Sequence, residues 1–94
     1  MSREIKRFRI HFSGRVQGVG FRYTAYHIAQ GLGLTGWVQN EYDGTVLCEV
    51  QGERIDIDSF IGKISVNDRY IRIDGMKITE ATPDPNERSF NIRG

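Results

Sequence analysis

The sequence predicts an α+β domain in which two helices cover one face of an antiparallel sheet, and three observations lead there. Apolar and polar residues alternate near both ends of the chain, apolar residues recur at helical spacing in two stretches between them, and glycine-bearing turns separate these runs. The order that results is β-α-β-β-α-β with a short extra strand, which suits the split-βαβ layout. At 94 residues there is material for one core only, so residues 1–94 are expected to fold as a single domain.

Each element has its own signal. Phe8, Ile10 and Phe12 alternate with Arg9, His11 and Ser13, a period of two that predicts a half-buried strand over about 6–13. Gly14, Gly18 and Gly20 then crowd a short turn. Beyond it Phe21, Ala25, Ile28, Ala29 and Leu32 fall at helical spacing, with Gly31 and Gly33 as stops, which predicts a helix over 21–31. Two β-prone runs, Trp37-Val38-Gln39 and Val46 to Val50, flank a turn-rich loop from Asn40 to Gly44 and read as a hairpin. Ile57, Phe60, Ile61 and Ile64 make a one-sided stripe that predicts a helix over 54–65, although Ile55 and Ile57 would also suit a strand. The alternation of Ile71 and Ile73 changes phase at Met76 and Ile78, so Asp74-Gly75 marks a bulge or bend in a strand over 71–80. Prolines 83 and 85 exclude a continuing central strand, and Phe90 with Ile92 suggests a short edge strand.

Composition excludes several function classes. Charged residues at 27% and hydrophobic ones at 38% do not describe a disordered chain, and no apolar run reaches bilayer length. A soluble, cytoplasmic monomer with no membrane partner is expected. The lone Cys48 shares the apolar phase of Val46 and Val50 and reads as a buried thiol, not as part of a disulfide or zinc framework. Net charge is +1, which provides no broad field for nucleic acid. The front is nonetheless basic: Arg3, Lys6, Arg7, Arg9, Arg15 and Arg22 face only Glu4 within the first 22 residues, so a small-anion site belongs there.

One segment carries chemistry of its own. Gly14-Arg15-Val16-Gln17-Gly18-Val19-Gly20-Phe21-Arg22 combines glycines that allow positive φ, successive backbone N–H groups and a helix N-terminus, the parts of an oxyanion cradle. Arg22 adds a planar fork at a helix end where the dipole favours acidic residues, which points to a ligand. The run is neither a Walker loop nor a dinucleotide loop, because the Gly-Lys-Ser/Thr ending and the third glycine are missing. A merely structural tight turn stays open on these residues alone. In the split-βαβ layout the first two strands run parallel with the third between them, so this turn and Asn40 should meet at one sheet edge.

Gly14-x-Val16-Gln17-Gly18-Val19-x-Phe21-Arg22 resembles the first signature of the acylphosphatases, and Gly36-Trp37-Val38-Gln39-Asn40 with Gly44-x-Val46 and Gly52 is similar to the second. The resemblance implies a ferredoxin-like fold and hydrolysis of acyl phosphates to a carboxylate and inorganic phosphate, with no cofactor and no metal. It implies that Arg22 binds phosphate, that the amides of Gln17, Gly18, Val19, Gly20, Phe21 and Arg22 form the cradle, and that Asn40 orients the attacking water. Departures lie in the C-terminal half: the segment Asn67 to Ile73 is idiosyncratic, and Phe90-Asn91-Ile92-Arg93 is followed by Gly94 where members often carry an aromatic, which bears on terminal packing and not on the site.

The other candidates read blandly. His11 and His27 are expected on solvated faces, and Trp37, Tyr23 and Tyr26 in structural packing instead of base stacking. Glu41, Asp43, Asp56 and Asp58 read as solvated acids, and the run Arg3, Lys6, Arg7, Arg9 as solubilising charge on a strand edge. An RNA-binding sheet would need exposed aromatics on its central strands, and Thr45 to Val50 has none. A third class, an acyl-phosphate or carbamoyl-phosphate handling domain of a larger machine such as the hydrogenase maturation proteins, would show an appended domain.

Overall fold

The computed structural model describes residues 4–66 and 68–94. The elements are β1 (Ile5–Arg15), α1 (Phe21–Gly31), β2 (Thr35–Asn40), β3 (Val46–Glu53), α2 (Arg54–Ile64), β4 (Arg72–Ala81) and β5 (Phe90–Arg93). They form one sheet in the order β4-β1-β3-β2-β5. β3 pairs antiparallel with both β1 and β2, so β1 and β2 run parallel and their C-terminal ends open at one edge. The four longer strands are antiparallel as expected. The sheet as a whole is mixed, because β5 joins parallel to β2, with Trp37 opposite Asn91.

Local chemistry explains the elements. Phe8, Ile10 and Phe12 of β1 turn inward with Val46, Cys48 and Val50 of β3, while Phe21, Ala25 and Ala29 of α1 and Ile57, Phe60 and Ile64 of α2 supply the helical face of the same core. Phe12 and Phe21, both fully buried, meet edge to face at 4.8 Å and tie the site's strand to the site's helix. Truncating either to alanine would cost about 3–5 kcal/mol. The helix reading holds for α2, whose Ile55 is left 72% exposed outside the stripe. The phase change before Met76 is a bulge: Ser13 faces Gly75 and Gly14 faces Ile73, so Asp74 is the extra residue. Of the idiosyncratic segment Asn67 to Ile73, Asn67 lies outside the described residues.

The basic run is the main departure from expectation. β1 is interior to the sheet, flanked by β3 and β4, and Arg7 on its outer face is only 5% exposed. Its guanidinium donates to Glu49 Oε1 at 2.5 Å, Gln51 Oε1 at 2.9 Å and Glu87 Oε1 at 2.8 Å, while Arg9 holds the other oxygen of Glu49. Gln51 also exchanges two bonds with the backbone of Asp84. The segment after β4 is therefore strapped to the outer face of β1 and β3 by a charged network. Only Lys6 and Arg9 of the run behave as partly solvated cations, and Arg3 lies outside the described residues. Period-two patterning identifies a half-buried face but cannot tell which strand is interior, since that depends on the pairing.

Candidate active site

The turn between β1 and α1 is shaped by two left-handed residues. Gly18 has φ 74° and Gly20 has φ 80°, and open space surrounds the position where a Cβ would stand on each. Glycine is required there by backbone conformation and not by crowding. Gly20 is the N-cap of α1, and no side chain caps that end and no acid stands in its first turn. A helix leaves its first N–H groups without internal partners. Among the described residues, none of the N–H groups from Gln17 to Arg22 donates to a protein acceptor.

A hollow of about 200 Å³ opens at this turn. Its walls are Val16, Gly18, Gly20, Phe21 and Arg22 from the β1–α1 segment, Tyr23 beside them, and Asn40 from the end of β2. The parallel course of β1 and β2 thus brings together residues 18 positions apart in sequence. Gln17 and Val19 contribute backbone to the turn but do not line the hollow. The oxygen Oδ1 of Asn40 is buried and meets no protein donor, so the fold presents an acceptor with unused capacity beside the unpartnered amides.

The Arg22 side chain is held from one side. Its Nη1 donates to the carbonyl oxygens of Arg93 at 3.2 Å and Gly94 at 3.1 Å. Among the described residues Nε and Nη2 have no protein acceptor, which leaves a donor edge free for an oxyanion. The terminal segment therefore touches Arg22 through its main chain, a contact that does not depend on the residue types at 93 and 94. Nothing in the sequence signals this contact, because it requires β5 to dock on β2.

Some other residues take places that the sequence reading assigned differently, while Cys48 is buried as expected. Tyr23 was expected in structural packing, yet it is 66% exposed at the rim of the hollow with its ring stacked on His27 at 6.5 Å. A residue at the second position of an amphipathic helix after Phe21 lies off the buried stripe, which is the signal that separates it from Tyr26, half-buried against Phe90. Trp37 is flanked by the guanidinium groups of Arg9 and Arg93, at 6.0 and 4.4 Å from its ring. His11 is half-buried, with Nε2 2.8 Å from the Thr45 hydroxyl. Cys48 is fully buried; desolvation first, and the nearby Glu49 charge second, push its thiol up, so it stays protonated and unreactive. Gln17 was considered only for its amide, but its side chain reaches the β2–β3 loop, donating to the carbonyls of Glu41 and Thr45 at 2.7 Å each.

Known proteins share this sequence and fold. The acylphosphatase family model matches residues 8–92. An acylphosphatase of Geobacillus thermodenitrificans is 40% identical over 88 residues, covering 94% of each chain. The crystal structure of acylphosphatase from Bacillus subtilis superposes with a TM-score of 0.89 at 31% identity, covering 97% of this chain and all of that one. HypF of T. kodakarensis contains a similar unit, with a TM-score of 0.84 and 34% identity over 95% of this chain and 12% of its own. With both signatures gathered on one hollow and this similarity running almost end to end, the chain belongs to the acylphosphatase family, enzymes of acyl phosphate hydrolysis.

Proposed function

We propose that this enzyme hydrolyses acyl phosphates by in-line attack of water on phosphorus, without a metal ion, in the hollow between the β1–α1 turn and Asn40. The observation that carries the reading is the meeting of unpartnered backbone donors, the free edge of Arg22 and the unsatisfied Asn40 oxygen on one small cavity. The amides of Gln17 to Arg22 and the guanidinium receive the phosphoryl oxygens, where negative charge must be held as the transition state forms. Asn40 Oδ1 accepts a hydrogen bond from the attacking water and fixes its lone pair towards phosphorus.

The water oxygen forms a bond to phosphorus while the bond from phosphorus to the acyl oxygen breaks, and the electron pair leaves on a carboxylate. A carboxylate with a pKa of about 4 departs without a general acid, so no titrating donor is needed. The water proton passes to a phosphoryl oxygen of the substrate, since a carboxamide is no base. Positive charge at the reaction centre comes from Arg22 and the amides. No group of three or more His, Cys, Asp or Glu side chains suited to a metal occurs among the described residues, and no helix is long and apolar enough to cross a membrane. The same reading has the protein working as a cytoplasmic monomer on a small substrate.

Benzoyl phosphate turnover by purified protein in excess chelator tests the proposal. Sustained hydrolysis is expected, and loss of activity on chelation with recovery on adding a divalent cation would overturn it.

A further inference from the structure

We propose that Gln17 is a positioning residue whose side-chain amide sets the distance between the phosphate cradle and Asn40. The inference rests on the reading above, in which the cradle holds the phosphoryl group and Asn40 holds the water. Gln17 belongs by its backbone to the cradle turn, while its half-buried side chain leaves that turn and crosses to the opposite wall. There Nε2 uses both hydrogens, one on the carbonyl of Glu41 and one on that of Thr45, at 2.7 Å each. These two carbonyls sit at the mouth of the β2–β3 hairpin, where Glu41 N–H also donates to Thr45 O at 2.9 Å. Glu41 directly follows Asn40.

Among the described residues no side chain or backbone group hydrogen-bonds the Asn40 side chain: Oδ1 is buried without a protein donor, so its location follows the backbone that carries it. That backbone is the end of a strand, paired at Val46 on one side, with the exposed loop Tyr42 to Gly44 beyond. The loop has its own clasp in Asp43, which accepts from Thr45 N–H and hydroxyl, but that clasp orders the loop without reference to the cradle. Gln17 supplies the reference. A displacement of about 1 Å between nucleophile and phosphorus is enough to slow an in-line reaction about a hundredfold. A two-hydrogen donor of this length is the specific requirement: leucine lacks donors, and glutamate sets a carboxylate against two carbonyl oxygens.

The test is a cycle of Gln17→Leu, Asn40→Ala and the double variant, read in benzoyl phosphate kinetics and in competitive inhibition by inorganic phosphate. Gln17→Leu is expected to lower kcat by about 10- to 100-fold with the phosphate inhibition constant within about threefold of the parent. In the Asn40→Ala background the same change should lower kcat by about threefold or less, because the group it positions is gone. A loss of equal size in both backgrounds would overturn the proposal while leaving Asn40's role intact. Full activity of Asn40→Ala alone would instead overturn the reading beneath it. Gln17→Glu gives an independent measurement should the leucine variant not fold. Its kcat should climb as pH falls and the carboxyl regains one O–H donor, against a flat parent profile, and a parallel flat profile at reduced kcat would count against the clamp.

Discussion

At the scale of single residues, Arg22 and Asn40 are separable by kinetics. Arg22 gives one nitrogen to the carbonyls of residues 93 and 94 and keeps Nε and Nη2 available. Arg22→Ala should cost on the order of 3 kcal/mol in kcat/KM, and Arg22→Lys should recover little of it, because a point charge cannot present two donors to two oxygens. Asn40→Ala should depress kcat with phosphate inhibition largely kept, as expected of a group that touches the water and not the phosphoryl oxygens. Deleting Arg93 and Gly94 removes both acceptors from Arg22. The inhibition constant of phosphate should then rise about 3- to 10-fold, the scale of roughly 1 kcal/mol of lost hydrogen bonding. At this scale the residues that line the hollow, Gly18, Gly20 and Arg22, were legible as a cluster in the sequence, because a cation at a helix N-terminus and glycines in series are local signals. The carbonyls that hold Arg22 and the Gln17 clamp were not, since each bond closes across more than twenty residues.

Among the elements, α1 and β1 make different demands on the chain. α1 begins on a left-handed Gly20 with free space around it, so Gly20→Ala should cost about 1 kcal/mol of stability through backbone strain alone, measurable by urea titration. β1 carries a charged row through the middle of the sheet. Burial acts first to raise the Glu49 carboxyl, but hydrogen bonds from Arg7 and then Arg9 outweigh it and hold the group below the usual carboxylate range. For Arg7 burial likewise opposes the charge, and Glu87 and Glu49 outweigh it. A folded carboxyl held below its unfolded value binds fewer protons than the unfolded one, so its contribution is present above the unfolded pKa, about 4.3, and is lost as pH falls through the folded value. The urea midpoint should therefore drop between neutral pH and pH about 3, and Glu49→Gln should flatten part of that slope. Arg7→Ala leaves Glu49 buried beside Arg9 alone and should cost about 3 kcal/mol. Arg7 stands eight residues before Arg15, roughly 26 Å along the strand from the cradle end, so kcat should persist while the protein is folded.

For the molecule as a whole, the sheet order sets what the catalyst can be. β3 between β1 and β2 places two strand ends side by side, and the space between them is filled by backbone donors, a guanidinium and a carboxamide, none of which changes protonation near neutrality. Turnover of benzoyl phosphate should accordingly be nearly flat from about pH 5 to about pH 7.5, and a bell-shaped profile across that range would contradict a site without titrating groups. On the proposed reading, a site built largely from main chain would account for two signature segments rich in glycine and poor in acids and bases, since such chemistry calls for positions more than for titrating groups.

The sequence by itself determined the element order, the buried stripes of Phe8 to Phe12, Phe21 to Ala29 and Ile57 to Ile64, and the glycine-shaped start of α1, because periodicity and glycine conformation act within a few residues. Only the tertiary structure decided that Arg7 is buried in a network instead of solvated at an edge, that β5 pairs parallel to β2, that Gln17 crosses to the β2–β3 loop, and that the carbonyls of residues 93–94 hold Arg22. These outcomes depend on which strands become neighbours, and that is settled by the joint burial of the whole core and not by any local stretch of chain.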